Sequence, residues 1–337
     1  MNKMFITLIT SLLLISGCSN PTESNESAIV QEWVFVANEG NFGASNGSIS
    51  MINQDGIVLE VTEVGDVVQS LEVYENKLIV VVNNSHMIKV YDITEDGLAL
   101  PGIEVSTDNS SPRELVVVGD KVYFTNWNTK DVKVLNLFNY NIETSISVDG
   151  LPESIVSDGS YLWVGIMMNA DYTSASNVVK IEISTQAIVE TYEVGLGPTS
   201  LALSGDDVYV ARTFYDENWI SFYGSSKISR DDILIKDYGL GVACGGNIMK
   251  YKNEIYRSFD GGIALLENNL DIKASSRIGS YDQSQVYSTK IIGDYIYFGI
   301  LDSTTTTDLV KIVNENGDEV ASYNVGIFPG DFSVWKN

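Results

Sequence analysis

After residue 31, hydrophobic and polar positions largely alternate along the chain in short runs separated by turn-forming residues. The runs Ile88–Ile93 and Glu143–Val148 have the period of strands with one buried face. Gly119-Asp120 and Asp158-Gly159 are typical of the tight turns that join such strands. No segment of this region has a convincing helical period. The pattern predicts an all-β domain over residues 32–337.

A unit of about 43 residues recurs seven times in this region. A typical unit has an apolar residue three positions after its start, replaced by Thr289 in the sixth unit, then a turn, then a strand with an aromatic residue or Ile at a fixed place. The starts are separated by 44, 40, 46, 47, 41 and 43 residues, and they are Val68, Pro112, Pro152, Pro198, Gly245, Val286 and Pro329. The residues three positions later are Leu71, Leu115, Ile155, Leu201, Ile248, Thr289 and Phe332.

Four strands in a unit of this length are the signature of a propeller blade, so the chain is predicted to be a seven-bladed β-propeller with four antiparallel strands per blade. The last unit stops after its first strand, Asp331–Trp335, while Trp33–Ala37 and Gly47–Ile52 have the pattern of second and third strands. The C-terminal strand is therefore expected to pair with the N-terminal strands in one blade. This pairing would close the ring and leave no long open edge.

Residues 1–17 have the features of an export signal. A positive charge at Lys3 precedes the apolar run Met4–Ile15, which is too short to span a bilayer. The run ends in Ile15-Ser-Gly-Cys18, which resembles the lipobox of bacterial lipoproteins. It predicts cleavage before Cys18, lipidation of that thiol, and a polar, flexible tether over residues 18–31. Ser19, where an aspartate would favour inner-membrane retention, favours an outer-membrane anchor. The alternative is an ordinary secretory leader with an incidental cysteine.

Composition narrows the classes of partner. The chain has 45 acidic and 20 basic residues and a net charge of −25, which argues against nucleic acid as a partner and against binding to a bare anionic membrane. Membrane contact is therefore expected only through the Cys18 lipid. Two cysteines and one histidine, His86, exclude a disulfide framework and sites built from His or Cys ligands. Neither a required cofactor nor a bound metal is expected.

The blades diverge mainly in the loops between second and third strands, which share one face with the links between blades. Loops on a rigid scaffold commonly carry function, and the longest, Arg212–Gly224, holds five aromatic residues. Candidate ligand-binding residues on this face are Asn38, Glu39, Asn41, Phe42, His86, Trp127, Phe214, Tyr215, Trp219 and Tyr223. Alternatively, the aromatic residues of 212–224 pack on each other as a hairpin that extends the blade. His86 is interpreted as a hydrogen-bonded loop residue, and Cys244 as a small buried one.

The repeat, with Pro-x-x-Leu/Ile, a turn and Val-Tyr-Val, resembles the YncE-like seven-bladed propellers. The loop Asn38–Gly43, followed by Asn46-Gly-Ser-Ile-Ser50, is similar to the first loop of a lipoprotein branch that includes cobalamin-capturing proteins of the BtuG kind. This resemblance implies a non-enzymatic lipoprotein of the outer membrane, on its cell-surface or periplasmic side. Its loop-rich face would bind a small molecule, such as a corrinoid, or a TonB-dependent transporter.

Two other functions stay open at this point. The first is an envelope scaffold for protein–protein contacts. The second is an enzyme, because propellers also host lactonases, other hydrolases and dehydrogenases. The sequence offers neither a convergent His/Asp/Glu set nor a nucleophile motif such as Gly-x-Ser-x-Gly for the enzymatic function.

Overall fold

The computed structural model describes residues 32–230, 232–241 and 246–337. The predicted export signal, Cys18, the tether and Cys244 lie outside these residues. Within them every regular element is a strand, and none is a helix long and apolar enough to cross a membrane. The strands form seven antiparallel sheets, which confirms the predicted seven-bladed propeller.

Blades 1 to 4 contain the following strands. Blade 1 consists of β29 (Pro329–Lys336), β1 (Glu32–Asn38), β2 (Gly47–Asn53) and β3 (Val58–Gly65). Blade 2 consists of β4 (Val68–Tyr74), β5 (Lys77–Val82), β6 (Met87–Thr94) and a split outer strand, β7 (Gly97–Leu98) and β8 (Ile103–Ser106). Blade 3 consists of β9 (Pro112–Val118), β10 (Lys121–Asn126), β11 (Asp131–Asn136) and β12 (Ile142–Ser147). Blade 4 consists of β13 (Leu151–Ser157), β14 (Tyr161–Met168), β15 (Ser174–Glu182) and β16 (Ala187–Glu193).

Blades 5 to 7 follow the same order. Blade 5 consists of β17 (Pro198–Ser204), β18 (Asp207–Tyr215), β19 (Ser221–Ser229) and β20 (Asp232–Leu240). Blade 6 consists of β21 (Ile248–Tyr251), β22 (Glu254–Phe259), β23 (Gly262–Leu266) and β24 (Ile272–Ile278). Blade 7 consists of β25 (Val286–Ile292), β26 (Tyr295–Ile300), β27 (Asp308–Val313) and β28 (Glu319–Val325). The predicted repeat starts therefore fall at or next to the first strand of each blade, except Gly245, which lies outside the described residues.

The hydrophobic core is divided among the seven interfaces between neighbouring blades, with one cluster at each in the described part of the chain. In six of the seven blades the residue three positions after the repeat start is apolar and packs toward the preceding blade, as Leu115 does against Ile79 and Val81. The large residue of the second strand packs toward the following blade, as Tyr123 does against Ile155. The fixed spacing of these two positions thus holds successive blades in register.

The first strands of the blades contact each other around a central channel. The inner edge of these strands faces no further strand, so its backbone donors need other partners. Polar side chains of the preceding blade supply them: the N–H of Leu71 donates to Asp331 Oδ2 at 3.0 Å, and the N–H of Val73 donates to Ser333 Oγ at 3.0 Å. The channel wall is therefore polar because it completes the inner edge of the blades.

Ring closure is confirmed. β29 pairs antiparallel with β1, from Glu32↔Lys336 to Asn38↔Pro329. Phe332 is completely buried against the last blade, in the cluster that also contains Tyr297 and Val310.

Candidate functional site

The loop of residues 39–46 leaves β1 on the face that carries the links between blades. The N–H of Glu39 donates to the carbonyl of Phe328 at 2.9 Å, which ties the loop to the last link of the ring. Gly40 has a φ of +75°, and a Cβ there would lie 2.6 Å from the nitrogen of Gly47. Glycine at position 40 of the Asn38–Gly43 loop is therefore required by the backbone.

Asp66 fixes the far side of this loop. Its carboxylate accepts hydrogen bonds from the N–H of Gly43 at 2.9 Å and 3.1 Å, and from Asn84 Nδ2 at 2.5 Å. Since Asn84 belongs to the β5–β6 turn, Asp66 joins the first two loops of the face into one wall.

Three asparagines at or just after the ends of second strands are structural. Asn38, Asn83 and Asn126 are all buried. Asn83 Nδ2 donates to the carbonyl of Pro112 at 2.8 Å, and so holds the next blade. Asn38 Nδ2 donates to Ser48 Oγ at 3.1 Å and Ser50 Oγ at 2.9 Å. Asn38 therefore lies buried beneath the loop and supports it, whereas the sequence analysis predicted that Asn38 would contact a ligand.

A recess of about 770 Å³ opens between these loops. We call it the binding recess. It brings together five of the ten predicted residues, Glu39, Asn41, Phe42, His86 and Trp127. The β10–β11 turn supplies Trp127 and the adjacent Asn128, so three consecutive blades contribute loops.

Sequence reasoning missed the floor of the binding recess. Its residues include Gln69, Arg113 and Tyr287, each the second residue of a repeat unit, together with Phe328 from the last link. The repeat itself could have pointed to these residues. The position directly after each start varies among Gln, Arg, Glu, Thr, Tyr and Gly, while the residues on either side of it vary less from unit to unit. A position that varies within a regular repeat, at the mouth of the channel, indicates side chains that the fold does not constrain and that are available for binding.

Arg113 organises this floor. Its guanidinium donates to both oxygens of Glu153, at 3.0 Å and 2.7 Å, and to Gln69 Oε1 at 2.8 Å. Its carbon Cζ lies 4.6 Å from the ring centroid of Trp127. A planar guanidinium can make the paired contact and the ring contact at once. Arg113 thus holds the indole in place while its own charge is neutralised by Glu153.

Glu39 is the ionisable group of interest in the binding recess. Burial raises its pKa above the ordinary 4.5, and this outweighs the opposing effects of a hydrogen bond from Tyr287 and the nearby charge of Arg113. Its carboxylate lies over Gly330, where an added Cβ would be 2.7 Å from Oε1. A side chain of this kind can accept hydrogen bonds when ionised and donate one when protonated.

His86 is a hydrogen-bonded loop residue, as interpreted from the sequence. Its Nδ1 accepts a hydrogen bond from the N–H of Ser111 at 3.1 Å, and its carbonyl accepts one from the N–H of Thr107 at 2.9 Å. The first bond leaves Nε2 as the ring nitrogen that carries a proton in the neutral form. In the described part of the chain, no three His, Cys, Asp or Glu side chains are grouped to hold a metal ion.

The other four predicted residues lie on the hairpin of β18 and β19 in blade 5, which runs without interruption to the pairs Phe214↔Phe222 and Tyr215↔Ser221. Phe214 stacks on Phe222 with 5.8 Å between centroids, and Tyr215 lies 5.8 Å from Trp219. Tyr223 contacts Tyr238 at 5.2 Å. The hairpin thus extends the blade, and its tip leaves Trp219 65% exposed. None of these four residues lines the binding recess.

Below the binding recess, the central channel contains a cluster of charged side chains. Lys290 Nζ lies 2.7 Å from Asp331 Oδ1, and Glu72 and Glu114 are close enough to interact with both. Burial raises the pKa of Glu72 to about 7 and that of Glu114 well above its ordinary value. One cation among three carboxyl groups favours protonation of the carboxyls that it does not pair with.

Comparison with known proteins supports the fold and no family. No protein-family model matches the chain, and the search of curated proteins gives no match. Among solved structures, a hypothetical selenium-binding protein from Sulfolobus tokodaii is 9% identical, with a TM-score of 0.64 over 92% of this chain and 93% of that one.

Two further structures are similar at the same level. Hydrazine synthase from Kuenenia stuttgartiensis is 14% identical, with a TM-score of 0.58 over 78% of this chain and 88% of that one. Apo AztD from Citrobacter koseri is 11% identical, with a TM-score of 0.55 over 91% of this chain and 99% of that one. At these identities the likeness shows the fold alone: the chain is a seven-bladed β-propeller.

Proposed function

We propose that this protein is a non-enzymatic lipoprotein of the outer membrane that captures a small molecule in the binding recess. The observation that carries the proposal is the recess itself. Loops of three consecutive blades and the mouth of the channel surround about 770 Å³, a volume within the range of small-molecule sites. Its wall combines aromatic side chains with amides and one partly buried carboxyl group, that of Glu39, which is the usual lining of a ligand site.

The construction of the recess supports a binding role. Asp66 joins two loops, Arg113 holds Trp127 in place, and Asn83 anchors the neighbouring blade. A site whose side chains are already held by hydrogen bonds loses less conformational entropy when a ligand binds. The resemblance of the Asn38–Gly43 loop to the lipoprotein branch supports the same conclusion, with a corrinoid among the ligands to test.

The anchor is the second part of the proposal. Lipidation at Cys18 would connect the propeller to the membrane through the polar segment 19–31, which reaches roughly 43 Å when fully extended. A tether of this length would let the propeller approach a transporter embedded in the same membrane.

A second candidate function rests on the tip of the β18–β19 hairpin. Trp219 and Ile220 at this tip are 65% and 47% exposed. Leu240, on the neighbouring strand β20, pairs with Phe222 of the hairpin and is 69% exposed. Exposed apolar residues of this size are typical of protein contact sites. This surface would suit a TonB-dependent transporter or another envelope protein, and it is compatible with ligand capture in the binding recess.

Two tryptophan variants separate these functions. We expect Trp127→Ala to weaken binding of the small-molecule ligand by about 2 kcal/mol, the typical contribution of an interface tryptophan. Trp219→Ala should leave that affinity unchanged. Calorimetric titration of the full chain in detergent, with a panel of corrinoids, haem, ferric siderophores and sugars, measures the affinity, and a thermal melt measures stability.

The pattern of results decides between the sites. If only Trp219→Ala lowers affinity, the ligand or partner binds at the hairpin and the binding recess is not the site. If Trp127→Ala lowers the free energy of unfolding by about 3–5 kcal/mol, as a core substitution does, the role of Trp127 is structural. If no compound in the panel binds the wild-type chain, capture of such small molecules is refuted and the transporter contact becomes the function to test.

A further inference from the structure

A second recess of about 440 Å³ lies beside the binding recess on the same face. We call it the side recess. It lies between blades 3 and 4, where the β14–β15 loop contributes Tyr172 and the link before β9 contributes Asp108 and Asn109. Tyr172 is 57% exposed, so its ring is available to a ligand. None of the predicted site residues other than Trp127 lies in the side recess.

The two recesses share a wall. Trp127 and Asn128, consecutive residues of the β10–β11 turn, line both. This turn is held firmly: the N–H groups of Trp127 and Asn128 donate to the carbonyls of Ser111 and Ser110 at 3.1 Å and 2.9 Å, and Asn128 Nδ2 donates to the carbonyl of Asn109 at 3.0 Å. A fixed tryptophan between two recesses can contact two successive units of one ligand.

Aromatic rings and amides repeat along both recesses. An exposed ring stands on each side of Trp127, Phe42 at 78% exposure in the binding recess and Tyr172 in the side recess. Side-chain amides accompany the rings, with Asn84 in the binding recess, Asn109 in the side recess and Asn128 between them. Aromatic rings can stack on the C–H faces of sugar rings, and amides can both donate to and accept from hydroxyl groups.

The charges around the two recesses argue against an anionic ligand. Arg113 directs three of its donors to Glu153 and Gln69, so its positive charge is already balanced. The side recess has one acid and one base, Asp108 and Lys130. The whole chain has a net charge of −25, which repels anionic ligands. A lipid tail is unfavourable as well, because aliphatic side chains are few in both walls.

We propose that the binding recess and the side recess act as one groove for an elongated, neutral oligosaccharide, with successive sugar units on either side of Trp127. This inference rests on the proposed binding function and specifies its ligand class. Two units define the minimum: a single sugar occupies one recess, and only a longer chain contacts Phe42, Trp127 and Tyr172 together.

The test is a length series of neutral oligosaccharides on the full chain in detergent. The probes are cello-, xylo-, manno-, malto- and chito-oligosaccharides of one to six units, titrated by calorimetry. We expect at least one series to bind, with affinity rising about tenfold or more between the shortest chain that binds and the hexamer, because the side recess adds a ring contact. Tyr172→Ala should remove this gain without altering the affinity of the shortest binder.

Two controls protect the interpretation. Tyr172→Phe keeps the aromatic face and should retain the gain. Phe138→Ala removes a ring that is 81% exposed in the β11–β12 turn, away from both recesses, and should change nothing. Melting curves for all variants show whether each is folded.

The outcomes are distinct from those for the proposed function. If a hexamer binds no tighter than the shortest binder, or if Tyr172→Ala lowers the affinity of both equally, the single groove is refuted while the binding recess stands. If a corrinoid, haem or siderophore binds and no oligosaccharide does, the ligand class is refuted and small-molecule capture survives. If none of these compounds binds, both proposals fail.

Discussion

Replacing Glu72 with glutamine should make the propeller more stable at alkaline pH and have a much smaller effect at pH 5. Glu72 lies on the inner strand β4, where burial raises its pKa from 4.5 to about 7, despite the opposing influences of Lys290 and a hydrogen bond from the N–H of Val117. Between pH 4.5 and about pH 7, Glu72 holds a proton in the folded state that it has released in the unfolded state. The free energy of unfolding must therefore fall as the pH rises through this window.

The size of the effect follows from the pKa. Since one pKa unit corresponds to about 1.4 kcal/mol, ionised Glu72 lowers the free energy of unfolding by about 3 kcal/mol above pH 8. Glutamine resembles the protonated acid and can still accept the hydrogen bond from Val117. Glu72→Gln should thus raise the melting temperature at pH 8.5 by about 5 °C.

The assay is a series of thermal or urea melts of wild type and variant from pH 5 to pH 9. Glu193→Gln, on the exposed outer strand β16, provides the matched control for loss of one negative charge. The difference between Glu72→Gln and wild type should be below about 1 kcal/mol at pH 5 and grow to about 3 kcal/mol by pH 8.5. A variant that is less stable than wild type at pH 8.5 would refute the reasoning, because it would mean that attraction between Glu72 and Lys290 exceeds the cost of burying the charge.

Two further predictions concern the ends of the chain. Cys18→Ala should release the protein from membrane fractions, because Cys18 is the candidate acylation site; a variant that stays membrane-bound after a high-salt wash contradicts the anchor. Deletion of residues 329–337 should lower the free energy of unfolding by more than about 5 kcal/mol, since Phe332 and Trp335 are buried core residues. An unchanged melting temperature of the truncated chain would show that β29 does not close the ring.

The fold was predictable because a propeller repeats its physical constraints. Leu115 and Tyr123 face opposite neighbours, and the same two positions recur in the other blades, so a single sequence contains several examples of one rule. Ring closure was predictable for the same reason, since the final unit lacks the strands with which the domain begins. The split outer strand of blade 2 follows no such rule and was not predicted.

The site was predictable only in part, because a repeat shows where loops lie and does not show which side chains meet. Glu39, Phe42 and Trp127 were found from loop position, and they converge in the binding recess. Tyr287 is far from them along the chain and reaches the recess only because the ring is closed. Asn38 was misplaced because exposed loops and buried strand ends are both rich in asparagine, and only the strand register distinguishes them.

Ring closure also sets the order in which the molecule can be completed. β1 is made early, and its partner β29 begins roughly 290 residues later. At 5–20 residues per second, synthesis leaves this edge of blade 1 without its partner for about 15 to 60 s. Wherever blade 1 forms before β29 has joined it, Val36 and Phe35 lie on an exposed edge that another strand could join. A chain that stops short of residue 329 keeps this edge of β1 unpaired, so the propeller can be completed only by the last strand to be made.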